Sequence, residues 1–122
     1  MAKGKQIGEF SLNFTSLTHT PGPAGSVVIQ GNCEGTATGF GTVLGTASFV
    51  GGKSGTLSWC SSAYLEDGEQ LSSMGSGTYE SSGKHRWRTL GFLQISDGRS
   101  LISEGEIELA KRSWVGKIFE NS

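Results

Sequence analysis

Few of the 122 residues in this sequence could do chemistry, and the best-suited pair is His85 with Tyr79. An imidazole titrates near neutrality, and a phenol within reach can orient a substrate oxygen, so together they could act as an acid–base pair. A histidine close to a turn can equally be solvated and idle, and that plainer reading competes with the first. Glu34 is the third catalytic candidate. It lies in "QGNCEGT", where Gln30, Asn32, Glu34 and Thr36 alternate on one side of a strand and Val27, Ile29 and Cys33 on the other. If the first side faces inward, Glu34 is a buried carboxylate with a raised pKa and Asn32 a hydrogen-bonding anchor. Period-two counting of apolar residues favours the opposite facing, with Glu34 in water. The serines have no Ser-x-x-Lys or Gly-x-Ser-x-Gly setting, which argues against a nucleophilic hydroxyl. Glu104, Glu106 and Glu108 recur every second residue, ~7 Å apart on a strand, too far to close a cation cage alone. Cys33 and Cys60 have neither metal-ligand nor redox spacing. No metal and no cofactor is expected.

The elements that must position these groups are strands. Glycine occurs 20 times, without a three-residue period, while Trp, Phe, Ile and Val are spread from Phe10 to Phe119. That composition excludes collagen and a linker and describes one glycine-rich folded domain. The ten basic and eleven acidic residues are interspersed. No basic patch marks a nucleic-acid or anionic membrane partner, and no apolar run approaches the ~20 residues of a membrane span. The start "MAKGKQIGEF" lacks the apolar core of a signal peptide, so a cytoplasmic location is expected, with residues 1–8 a flexible terminus.

No window keeps the helical apolar spacing, so the chain is expected to be all-β throughout. A first strand runs roughly from Glu9 to Thr18 with Phe10, Leu12 and Phe14 on one face. "HTPGPAGS" closes it, and two more strands follow before residue 52. Three segments then share a form, "EDGE", "SSGK" and "SDGR", each with Gly third and a charged residue fourth. A three-residue hairpin loop with Gly in the left-handed conformation suits all three. It sets Leu65 opposite Glu69, Glu80 opposite Lys84 and Ile95 opposite Arg99, and every earlier pair follows. Arg86 then faces Glu108 and Arg88 faces Glu106, the outward pattern. The reverse face carries Ala63, Leu71, Leu93 and Leu101 as an aliphatic floor. Above the floor come Ser61, Ser73, Gly91 and Ser103, then Trp59, Gly75, Thr89 and Gly105, then Leu57, Gly77, Trp87 and Ile107, with Tyr79, His85 and Leu109 uppermost. With "SWVGKIF" as the last, about eight strands are expected to form a single-domain, antiparallel up-and-down barrel whose aromatic rim surrounds a hollow lumen.

The run "GFGTVLGTASFVGGKSGTLSW", with "GSGTY", "GRSLISEGEIEL" and "RSWVGKIF", resembles small bacterial proteins of the allene oxide cyclase-like barrel group over roughly residues 35–119. The resemblance implies a calycin-like barrel of eight strands, commonly oligomeric, holding an apolar ligand. The plant cyclases of that group work without a cofactor, but none of their catalytic residues matches here. The function expected is binding of a small apolar molecule by Trp59, Ser61, Ser73, Gly75, Gly77, Tyr79, His85, Trp87, Thr89, Gly91, Ser103, Gly105 and Asn32. One alternative is a cofactor-free cyclase or isomerase using His85, Tyr79 or Glu34, and another is a structural subunit with no ligand. Leu90, Phe92 and Ile102 fall on the outward face beside Met74 and Tyr64, which suggests a homo-oligomer contact.

Overall fold

The computed structural model describes residues 3–121 and forms a closed barrel of eight antiparallel strands, each laddered to its sequence neighbours. The strands are β1 (Lys3–Pro21), β2 (Val27–Ala37), β3 (Gly41–Gly51), β4 (Ser54–Tyr64), β5 (Gln70–Gly83), β6 (Arg86–Ile95), β7 (Ser100–Glu108) and β8 (Ser113–Asn121). The expected fold class is the observed one. β1 begins earlier than its apolar alternation indicates, because residues 3–8 of the expected flexible terminus are strand paired to β8. Met1 and Ala2 lie outside the described residues. Among the described residues the sole helix is a 3-10 turn, Pro23–Gly25, and no helix is long and apolar enough to cross a membrane.

The ladder is staggered. Followed from Pro21 across successive pairs, a path passes Val27, Gly51, Gly55, Tyr79, Thr89, Gly105 and Gly116 and returns to β1 at Phe10, eleven residues back. Such stagger is the geometric counterpart of strand tilt in a closed barrel. It also leaves β1, the longest strand, overhanging both of its neighbours.

Two of the three expected hairpin loops form as read. Leu65 donates its N–H to Glu69 O (2.9 Å) and Ile95 to Arg99 O (2.9 Å), with Gly68 and Gly98 at φ 91° and 98°. In each, the loop aspartate accepts the backbone N–H two residues on: Asp67 from Glu69 (2.8 Å) and Asp97 from Arg99 (3.1 Å). The Arg99 side chain also bonds Asp97 and holds its carboxyl below the ordinary carboxylate pKa.

The middle hairpin is a correction. "SSGK" has Ser82 where the other two have aspartate, and β5 runs on through it to Gly83, with a bulge between Ser81 and Gly83. The chain reverses at Lys84 and His85 instead, with His85 at φ 54°. Tyr79 therefore faces Thr89 rather than His85, Gly77 faces Gly91 rather than Trp87, and Ser73 faces Ile95 rather than Gly91. The slip is four residues, an even number, so the side chains within the paired strands keep their faces although each has a different neighbour across this pair, while His85 leaves the inner face for the turn.

The inner face is the core. Leu12, Cys33, Val43, Ala47, Trp59, Leu71, Ile107, Trp114 and Ile118 are buried there, with Phe10 and Phe14 packed against them. Arg86 and Arg88 lie outside, as the expected β6–β7 register requires. Arg86 reaches both Glu106 (3.2 Å) and Glu108 (3.3 Å), and Arg88 lies 4.0 Å from Glu80. Of the outward apolar group, Ile102 is only 3% exposed, laddered between Phe92 and Phe119. Lys3 sits 4.6 Å over the Phe119 ring while paired to Glu104 at 3.1 Å. Leu90, Met74 and Tyr64 remain exposed.

Candidate functional site: an apolar cavity in the lumen

The lumen is divided rather than open. Trp114, projected inward by the alternation of Trp114, Gly116 and Ile118 on β8, is the hub of an aromatic cluster. Its ring stacks on Phe14 (centroids 5.9 Å apart, planes 4° apart) and meets Trp59 edge-on at 5.5 Å and Phe10 edge-on at 6.2 Å. Phe49 joins Trp114 at 6.0 Å and Tyr79 at 5.5 Å. Rings of this size fill volume and attract one another edge to face. The expected aromatic rim around an opening is therefore a plug within the barrel.

On one side of Trp59 and Trp114 a cavity of about 90 Å³ remains. Leu12, Val43, Ala63, Leu71, Leu93 and Leu101 make much of its wall. Phe40 lines it from the turn between β2 and β3 and is buried, and the Arg99 guanidinium lies 4.9 Å over the outer side of the Phe40 ring. Ser103 apart, the polar groups that face inward are bonded to one another. Trp59 Nε1 donates to Ser61 Oγ (3.0 Å), Ser61 and Ser73 share a bond of 2.7 Å, and Trp114 Nε1 donates to Thr89 Oγ1 (3.1 Å). No buried side-chain polar atom among the described residues lacks a partner.

The cavity exists where small residues meet. Gly77 and Gly91 are opposed across β5 and β6, and Gly91 faces Ser103 on β7. A Cβ placed on Gly91 would touch nothing within 4 Å except Ser103 Oγ, at 2.8 Å, so Gly91 borders free space. The other glycines of the inner face are covered. Gly45 lies beneath the Trp59 ring, whose atoms would be 2.5 Å from an added Cβ, and Gly105 lies against Phe10 and Trp114.

Of the residues expected to bind a ligand, Trp59, Ser61, Ser73, Thr89, Gly91 and Ser103 line this cavity. Gly75, Gly77 and Gly105 share the inner face without being part of its lining, and Trp87 is half-buried against the core nearer the β5–β6 turn. The three acid–base candidates are not brought together. His85 is exposed in the turn, and the His85–Tyr79 pairing does not form because the hairpin reverses two residues later than expected. Tyr79 is buried against Phe49 and its phenol pKa is raised by that burial, but it stands outside the cavity wall. Glu34 is exposed on the outer face. Asn32 is also outside, accepting from Thr46 Oγ1 (2.8 Å) and donating to Ser16 Oγ (2.9 Å). Cys33 is the residue of that strand that points inward, as the apolar alternation favoured, and burial pushes its thiol up to about 12. Cys60 is exposed on another strand, and both thiols are free.

Sequence reasoning missed Trp114 and Phe40. Period-two alternation in "SWVGKIF" carried the signal for the first, whereas the second sits in a turn, where burial has no periodic signature. Among the described residues no group of three or more His, Cys, Asp or Glu is arranged to hold a metal ion. No protein-family model, curated protein or solved structure matches the chain.

Proposed function

We propose that this barrel binds a compact apolar molecule in its lumen, in the space bordered by Gly91, Trp59, Trp114 and Phe40. One observation carries the reading: a void of about 90 Å³ with an almost wholly apolar wall, in which Ser61 and Ser73 bond to each other and Thr89 to Trp114, leaving Ser103 Oγ as a lone hydroxyl. Cavities of this character stay dry, since a water inside would lack the two to four polar partners it needs, and a dry cavity of ~150 Å³ takes up benzene or xenon. The guest that fits without rearrangement is smaller than benzene, and a larger one requires Phe40 to swing out from under Arg99. The allene oxide cyclase-like resemblance agrees with an apolar guest. Catalysis is the weaker reading here, because His85 and Glu34 lie away from the cavity and Tyr79 is outside its wall.

The test is titration with xenon and with hydrocarbons of increasing size, followed by the indole N–H resonances of Trp59 and Trp114. Xenon and guests smaller than benzene should shift both resonances saturably, and Gly91→Leu should abolish the response while the chain stays folded. If nothing in the series moves either indole, the lumen is a core and the structural reading takes its place.

A further inference from the structure

The overhang of β1 leaves two one-sided stretches of backbone. Residues 3–8 pair with β8 but not with β2, and residues 15–21 pair with β2 but not with β8, whose ladder with β1 ends at Asn13↔Ser113. The last bond across that seam is Phe14 N–H to Arg112 O, at 2.8 Å. Unpaired strand edges invite another strand, and proteins commonly guard them with charge, lysine above all. The first stretch carries Lys3 and Lys5. The second, "TSLTHTP", carries none, and no Lys, Arg, Asp or Glu occurs anywhere between Glu9 and Glu34.

Which groups face the open side follows from ladder alternation. Gly22 donates to Ser26 O (2.8 Å), so after the bulge at Thr15 the even residues Ser16, Thr18 and Thr20 turn their backbone groups toward β2. Leu17 and His19 turn their N–H and C=O outward, and Pro21, which has no N–H, ends the run. All seven residues are exposed, Leu17 at 42%, and Val27, paired with Pro21 at the end of the stretch, is 46% exposed.

We propose that residues 15–21 of β1 are a self-pairing edge, where two copies of this chain join antiparallel about a two-fold axis at Thr18. In that register Leu17 of each copy exchanges both backbone bonds with His19 of the other, so all the outward groups of the two residues are satisfied at once. A neutral edge meets its own copy without repulsion and without stripping water from an ion. The two-fold arrangement uses one patch twice, as isologous dimers do. It extends each β1–β2 ribbon into the other and is independent of the lumen and its guest.

Sedimentation equilibrium over a concentration series tests this, together with amide hydrogen exchange. The expected result is a reversible dimer in which the Leu17 and His19 amides exchange more slowly as concentration rises. Leu17→Pro deletes only an outward N–H and leaves the β1–β2 bonds in place, so it should raise the dimer dissociation constant at least ~10-fold, counting both copies of the lost bond. Leu17→Lys, which restores the missing guard charge, should do the same if the proline variant unfolds. A wild-type chain that stays monomeric at several hundred micromolar overturns the proposal. So does a dimer that both variants leave intact, or a monomer that captures a synthetic TSLTHTP peptide without pairing with itself.

Discussion

Gly77 and Gly91 face each other across one rung of the β5–β6 ladder, and replacing each with alanine should have opposite effects. At Gly91 the new methyl meets only Ser103 Oγ, the free end of a side chain that can rotate away. Neither glycine has a positive φ, so alanine adopts the backbone without strain. Burying the methyl is worth ~0.8 kcal/mol. Reduced freedom of the unfolded chain adds ~0.4–1 kcal/mol. Displacing the hydroxyl offsets part of the sum, leaving Gly91→Ala more stable by about 1 kcal/mol, or roughly 4 °C in Tm for a domain of this length. At Gly77 the same methyl falls on the Leu90 carbonyl oxygen, with Gly91 Cα only 2.8 Å away, and these are backbone atoms that move only if the strands part. Gly77→Ala should lose about 2–3 kcal/mol, as overpacking does. Urea unfolding of the two variants measures the contrast, and m should stay constant if both remain two-state. Should Gly91→Ala prove as destabilising as Gly77→Ala, there is no free space beside Gly91 and the cavity reading goes with it.

Four further outcomes follow from single residues. Thr89→Val keeps the volume but removes the acceptor for Trp114 Nε1, and should lower stability by ~1–3 kcal/mol in urea titration, the range for a buried donor left unpaired. His85→Gly should add about 1 kcal/mol, because His85 stands at φ 54° where only glycine sits without penalty, and it should leave guest binding unchanged. Burial keeps Cys33 protonated up to about 12 in the fold, well above an exposed thiol, so the unfolded chain releases its proton first as pH rises. Stability should then fall by up to ~1.4 kcal/mol per pH unit from about pH 9 upward, a slope that Cys33→Ala removes between pH 8 and 9.5 and reduces at 10.5, where the buried Tyr79 phenol adds its share, as denaturant midpoints at those three pH values would reveal. In the same protein at pH 8, iodoacetamide should label Cys60 alone until denaturant is added, which intact-mass measurement can count.

Much of this architecture is legible in the residues. The Asp-Gly loops at 66–68 and 96–98 fix two registers because aspartate and glycine each act locally, one by accepting a backbone N–H and the other by taking a positive φ. Alternation around the turns assigns the inward face of β4 to β7, and on β2 it favours Cys33 over Glu34 without fixing the choice. What is not legible depends on contacts made at long range. Phe40 reads as a turn residue, and its burial arises from the closing of the barrel over it. Asn32 reads as a candidate anchor, yet its amide is consumed by Ser16 and Thr46 on neighbouring strands. His85 reads as an inner residue only while the middle turn is read by analogy with the other two.

That middle turn decides which residues of β5 face which of β6. With a three-residue loop at 81–83, Gly77 would lie against Trp87 and Gly91 against Ser73. The observed register brings Gly77 to Gly91 instead, while Gly91 faces Ser103 on β7 under either reading. The missing aspartate at 82 allows this, but closure of the barrel enforces it, because β6 is held in register by β7 over nine ladder pairs and β7 by β8 over eight. Ser82→Asp separates the two influences. It completes the local loop signature, so local chemistry alone predicts a gain of a few tenths of a kcal/mol. In the closed barrel, however, Ser82 Oγ lies 3.4 Å from the Glu106 carboxylate, and an aspartate there is a like charge against it. Ser82→Asp should therefore lose about 0.5–1 kcal/mol at neutral pH, the scale of a cross-strand like-charge pair, and recover much of it in high salt. A stabilised Ser82→Asp chain, with Tyr79 moved opposite His85 in its amide-to-amide contacts, would mean that the turn and not the closed barrel dictates the register.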